Sequence, residues 1–123
     1  EELYINGDGK TTRDFCYVEN AIQANILSAM TTNKKALNQV YNIAINDTTS
    51  LLELYNMIIE ILSARIDDLE IKQPIYRDFQ EGDIRHSQGD INKAKELLGY
   101  SPTHLIREGL EATVEWFIKE QNI

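Results

Sequence analysis

Apolar positions along this chain recur first at strand spacing and then at helical spacing, and each change of period marks an element. Leu3-Tyr4-Ile5 predicts a short strand, and Asn6-Gly7-Asp8-Gly9 supplies residues that tolerate positive φ. Arg13 to Val18 reads as a returning strand, so the opening segment predicts a hairpin. Ala21, Ala24, Ile26, Leu27 and Met30 then predict an amphipathic helix from Glu19 to Thr32. The short branched run Val40-Tyr41-Asn42-Ile43-Ala44 predicts a buried strand. Ser50 followed by Glu53 is a capping-box pattern, and the helix it opens carries Leu51, Leu54, Tyr55, Ile58, Ile59 and Leu62 on one broad face. Glu70 to Tyr76 reads as extended, with Pro74 favouring a sheet edge. Asp90 is placed to cap a helix through Leu98, which Gly99 and Pro102 stop. A last helix from Leu105 to Glu120 is expected to bury Leu105, Leu110, Val114, Trp116 and Phe117. Four main helices with few strands define an α/β chain (mixed α+β), short of a complete doubly wound sheet.

Composition narrows this picture. At 123 residues, with 42% apolar positions and no repeat or low-complexity linker, the chain is expected to form a single domain over 1–123. A net charge of −8 argues against a nucleic-acid partner, which requires a basic stripe. No apolar run reaches the roughly 18 residues that cross a bilayer. The first residues, Glu1-Glu2-Leu3-Tyr4, lack the pattern of a signal peptide and an initiating methionine, so the expectation is a cytoplasmic protein cut from a longer chain. Cys16 is the only cysteine, which rules out an internal disulfide and a two-cysteine metal motif.

Candidate chemistry concentrates in two places. Arg13 follows a glycine turn, where the backbone would hold its stem, and guanidinium forks bind diphosphate groups well. An ion pair of Arg13 with Asp14 or another acidic neighbour is the competing reading. Gly7 and Gly9 are turn glycines rather than a dinucleotide loop, because Thr12 stands where a third glycine belongs and no helix follows. The second place is the loop from Gln80 to Ser87.

The stretch Asn6 to Val18, and Glu81 to Ser87 followed by Asp90 to Pro102, together resemble a known group of enzymes. They are similar to the carboxy-terminal, substrate-binding lobe of extended short-chain dehydrogenase/reductases of the NAD-dependent epimerase/dehydratase family. The resemblance is nearest to UDP-N-acetylglucosamine/UDP-glucose 4-epimerases. It implies the substrate lobe of an extended Rossmann-type enzyme without its Rossmann half, and a role in precursor synthesis for surface polysaccharides. It assigns Arg13 to the nucleotide diphosphate and Asp83 to the ribose. Such enzymes carry a second diphosphate arginine where this chain has Gln80, so binding is expected to weaken unless Arg77 or Arg85 reaches in. Ser87 replaces the bulky tyrosine of enzymes restricted to non-acetylated hexoses, which leaves room for a C2 acetamido group and points to UDP-GlcNAc/UDP-GalNAc, alone or beside UDP-Glc/UDP-Gal.

The intact relatives imply NAD, a glycine-rich cofactor loop and Tyr-x-x-x-Lys. None of the six tyrosines here has lysine four residues on, so the chain by itself is expected to bind no cofactor and no metal and to be inactive. The expected partners are a UDP-sugar and an amino-terminal Rossmann domain, with the oligomeric state left open. Two alternatives stand beside this reading. One is a non-catalytic binding or assembly module derived from the lobe, and the other is the same lobe of a nucleotide-sugar dehydratase or decarboxylase.

Overall fold

The structure is a computed structural model that describes residues 2–121. Its elements are β1 (Tyr4–Asn6), β2 (Thr12–Arg13), α1 (Val18–Met30), β3 (Thr49–Ser50), α2 (Leu51–Ser63), β4 (Ile75–Arg77), α3 (Asn92–Leu98) and α4 (Ile106–Gln121). A single 3₁₀ turn covers Lys34–Ala36. The mixed α/β class with four helices and few strands is as expected. The chain divides into two compact units, described separately below.

The first unit runs through Arg13, takes in Thr49–Ser87, and includes α4 from Leu110 onward. The expected hairpin is not there. β1 pairs in parallel with β4, Ile5 opposite Tyr76 and Asn6 opposite Arg77, whereas β2 pairs antiparallel with β3. Two positive-φ glycines explain the difference. Gly7 at +79° and Gly9 at +75° turn the chain from one ladder to another instead of closing it on itself. Gly7 has a further constraint, since a Cβ there would lie 2.2 Å from the Phe79 ring. β3 runs straight into α2, which Ser50 and Glu53 cap reciprocally: the Ser50 hydroxyl accepts from the Glu53 N–H at 3.2 Å, and the Glu53 carboxylate accepts from the Ser50 N–H at 2.8 Å. The Ser50 N–H and, at 2.7 Å, the Ser50 hydroxyl both donate to the Glu53 carboxylate, which holds that carboxyl below the usual range.

The burial of α2 departs from its apolar pattern. The expected face is only half-buried, and the residue that enters the core is Ile61, 2% exposed. Leu51, Leu54, Ile58 and Leu62 line a groove of about 690 Å³ together with Leu3 and Leu69. In α4 Gly109 and Val114 are buried; Trp116 and Phe117 are exposed, contrary to expectation, because a helix covered on one side buries one narrow stripe.

The second unit comprises Asp14–Thr48 and Gln88–Gly109. Its core is small side chains around one phenol: Ala24, Ala44, Ile91, Ala94 and Tyr100, with Leu27, Tyr41 and Ile43 against them. Alanines bring α1 and α3 close enough for the Tyr100 hydroxyl to donate to the Ala44 carbonyl at 2.8 Å. Burial is the main cause that pushes this phenol up to about 12. The inward face of α1 is therefore Asn20 and Ala24, while Val18, Ile22, Ile26 and Met30 stand exposed at spacing i, i+4, i+8, i+12. Ile26 and Met30 were expected inside. Leu105 is likewise exposed. The expected strand between Val40 and Ala44 forms no ladder: among the described residues, no backbone hydrogen bond reaches it. A strand needs a neighbour to accept its amides, and this unit offers none. α3 ends as anticipated, at Gly99 in the left-handed region, but its N-cap is Ile91 and not Asp90, whose carboxylate instead accepts from the Asn92 N–H at 2.9 Å in a local turn before the helix.

Candidate functional site

The first unit brings the Arg13 strand and the Asp83–Ser87 loop to one place. Thr12 is the pin. Its N–H donates to the Arg85 carbonyl at 2.9 Å, its carbonyl accepts from the Ser87 N–H at 3.2 Å, and its hydroxyl lies 3.0 Å from His86 Nδ1. The His86 ring thus helps anchor the loop to β2. The 85–87 segment runs parallel to β2 on the edge opposite β3, which places Arg13 on one backbone line and Arg85 and Ser87 on the line beside it.

Arg13 Nη2 donates to Asp83 Oδ1 at 2.5 Å, and Nη1 donates to the Thr12 carbonyl at 2.8 Å. The competing reading of Arg13 was an ion pair, and an ion pair exists, but its partner is Asp83 and not Asp14. Both side chains are 31% exposed. A pair this open to solvent is worth about 0–1 kcal/mol, so an incoming doubly charged phosphate group can displace the carboxylate. The two residues expected to hold diphosphate and ribose thus hold each other. Asp14 does something else in the second unit: its carboxylate accepts from the Ile45, Asn46 and Gly89 N–H groups at 2.9, 3.0 and 3.2 Å.

Arg85 points away from Arg13. Its Nη2 donates to Asp8 Oδ2 at 2.6 Å, and with the Lys10 N–H this bond holds the Asp8 carboxyl below its ordinary value. Its guanidinium also sits 5.1 Å over the Phe79 ring. Gln80 lies at the start of a tight turn in which its carbonyl accepts from the Asp83 N–H, with Gly82 at +82°. It lines an open cavity of about 910 Å³ with Asn6, Tyr76, Arg77 and Asp78. The Ser87 hydroxyl meets no partner among the described residues. Sequence reasoning gave Arg77 only a conditional part; the cavity wall and its stacking on Tyr4 become visible once β1 and β4 are known to be neighbours.

The described residues contain no cluster of metal-ligating side chains. The Gly7–Gly9 turn leads into β2 and not onto the N-terminus of a helix, which is the geometry of a turn rather than of a dinucleotide loop. Burial raises the Cys16 thiol above its ordinary value, which makes it a poor nucleophile. No described helix is long and apolar enough to cross a membrane.

Fold and site together define a part of a nucleotide-sugar-modifying enzyme, and comparison with known proteins agrees. A family model described as GDP-mannose 4,6 dehydratase matches residues 1–113. The chain belongs to this family of NAD-dependent nucleotide-sugar epimerases and dehydratases. It is 31% identical over 99% of its length to a UDP-N-acetyl-alpha-D-glucosaminuronate decarboxylase of Bacillus cytotoxicus, covering 37% of that protein. Among solved structures it superposes with TM-score 0.84 and 36% identity on a UDP-glucose 4-epimerase of Thermotoga maritima determined with UDP-glucose, over 98% of this chain and 36% of the other. A UDP-glucuronic acid 4-epimerase of Bacillus cereus in complex with UDP-glucuronic acid and NAD matches with TM-score 0.83 and 30% identity, over 98% of this chain and 36% of that one. The chain thus spans about a third of the length of these relatives, in which it corresponds to the carboxy-terminal part.

Proposed function

We propose that residues 1–123 act as the UDP-sugar-binding portion of a nucleotide-sugar 4-epimerase, with UDP-GlcNAc and UDP-GalNAc as the favoured pair and UDP-Glc/UDP-Gal also accommodated. The observation that carries this reading is the Arg13–Asp83 pair, laddered through Thr12 to the segment that bears Ser87. In this reading Arg13 exchanges Asp83 for the diphosphate, Asp83 turns to a ribose hydroxyl, and the small Ser87 leaves space beside the sugar. Gln80 donates a neutral hydrogen bond where a charged one is expected, and Arg85 stays with Asp8. The complete enzyme, not this portion, would bind NAD, as the Bacillus cereus relative does.

The remainder of such an enzyme is the proposed protein partner, and two features of the second unit suit it. The exposed stripe Val18, Ile22, Ile26 and Met30 is an apolar seat, and the ladder-free run from Val40 to Ala44, whose end carbonyls accept from Lys93 and Tyr100, offers its amides and its inner carbonyls to a neighbouring strand. A nucleotide-binding half built of strands and helices supplies both.

Calorimetric titration of UDP and UDP-GlcNAc into this chain and into Arg13→Ala tests the reading. Both ligands should bind the parent, and the variant should lose about ten- to a hundredfold in affinity, the value of one charge-assisted contact. Equal binding by parent and variant, or no binding by either, overturns it. A second reading, the same lobe of a nucleotide-sugar decarboxylase, is favoured by the match of 99% of this chain to the Bacillus cytotoxicus protein. Product analysis of the complete enzyme separates the two, since decarboxylation releases carbon dioxide from a uronic acid and epimerisation releases nothing.

A further inference from the structure

Five arginines stand in the chain, and four are engaged. Arg13 pairs with Asp83, Arg85 with Asp8, Arg65 donates to the Ile61 carbonyl, and Arg107 has a partner of its own. The guanidinium of Arg77 meets no carboxylate among the described residues. It is nevertheless held firmly. β4 places Arg77 opposite Asn6, its carbonyl accepts from the Gly7 N–H at 2.8 Å, and its Cζ lies 3.2 Å over the Tyr4 ring. A stacked guanidinium keeps its N–H edges free in the ring plane, and stacking reduces the entropy lost when those edges find an acceptor. The same side chain lines the 910 Å³ cavity beside Gln80.

We propose that Arg77 supplies to the diphosphate of the nucleotide sugar the second guanidinium that Gln80 does not provide. The charge is displaced by three positions, from the Gln80–Asp83 turn to the end of β4 that feeds it. Asp78 lines the same cavity, so the site accepts an anion only through a directed fork and not through a general positive potential. Arg85 is the weaker candidate, because Asp8 already holds it at 2.6 Å. The inference rests on the UDP-sugar reading above and assigns a residue within it.

The test measures affinity of the 123-residue chain for UDP and for uridine, which differ by the diphosphate, across Arg77→Ala, Arg77→Gln and the double variant Arg77→Ala/Gln80→Arg. Arg77→Ala and Arg77→Gln should weaken UDP binding at least tenfold and leave uridine binding within twofold, and the added Gln80→Arg should restore most of the loss. UDP binding within twofold of the parent in both single variants overturns the assignment, and so does an equal loss for UDP and uridine, which marks a structural role through Tyr4. If Arg13→Ala loses UDP while the Arg77 variants keep it, only this inference falls; if the parent binds neither UDP nor uridine, the UDP-sugar reading falls and takes this one with it.

Discussion

Asn20 illustrates how a single polar side chain decides local structure in the second unit. It is fully buried on α1, accepts from the Thr103 and His104 N–H groups at 2.8 and 3.2 Å, and donates to the His104 carbonyl at 2.7 Å. Asn20→Ala leaves those groups without partners, and chemical denaturation should show a loss of about 2–3 kcal/mol. Nothing in the sequence singles Asn20 out, because its partners are more than eighty residues away. Tyr100 shows the same logic in its titration. Its folded value is raised to about 12 from 10, so the neutral phenol contributes stability that is complete below pH 10 and is lost as pH rises from 10 towards 12. Ultraviolet titration should therefore find one phenol ionising well after the others, and Tyr100→Phe should remove that late step. If all six tyrosines ionise together while the protein is still folded, the burial argument for Tyr100 is wrong.

At the scale of elements, pattern and position separate clearly. The capping box at Ser50 and Glu53 was legible because both partners lie within one turn, and the structure forms both of its bonds. Ser50→Ala should cost about 1 kcal/mol in thermal or chemical unfolding. The Glu53 carboxyl is depressed first by the Ser50 N–H and then by the Ser50 hydroxyl, so its contribution is present above the ordinary carboxylate value near 4.5 and disappears as pH falls through the lower folded value; Ser50→Ala, which keeps the N–H bond, should reduce that acid limb in part. Gly89 is a different case. A Cβ on Gly89 would lie 2.6 Å from the Ala44 Cβ. The loop therefore needs glycine because the opposing position carries a methyl group. Gly89→Ala should destabilise by about 1–3 kcal/mol through overpacking, and Ala44→Gly in the same chain should recover part of that loss; simple additivity of the two would show that the methyls do not meet.

For the molecule as a whole, exposure is the informative quantity. A helix that presents Val18, Ile22, Ile26 and Met30 to solvent, beside a run rich in branched residues with unpaired amides, is the composition of an interior placed at a surface. Hydrogen exchange measures the consequence. In this chain the amides of Val40–Ala44 should exchange at nearly the rate of an unstructured peptide. In a chimera that joins this chain to the remaining two-thirds of the Thermotoga maritima epimerase, they should slow at least a hundredfold. Unchanged exchange in a chimera that binds NAD would show that the partner does not complete this edge.

The sequence by itself determined the helices, the capping box of α2, the glycine stop of α3, the turn glycines, and the two segments that carry Arg13 and Asp83. All of these depend on spacing within a few residues, where backbone geometry converts pattern directly into structure. Tertiary structure alone decided which strands pair and which helix face lies inside. It also decided that Arg13 meets Asp83 and that Arg77 shares a wall with Gln80. The strand pairings and the Arg13–Asp83 contact depend on partners 36 to 71 residues apart, and the buried helix faces on whether a partner is there at all. An apolar stripe states that a surface seeks cover, but packing determines what provides it. For α1, the small, close-fitting core of its own unit took Asn20 and Ala24 and left the larger side chains outside.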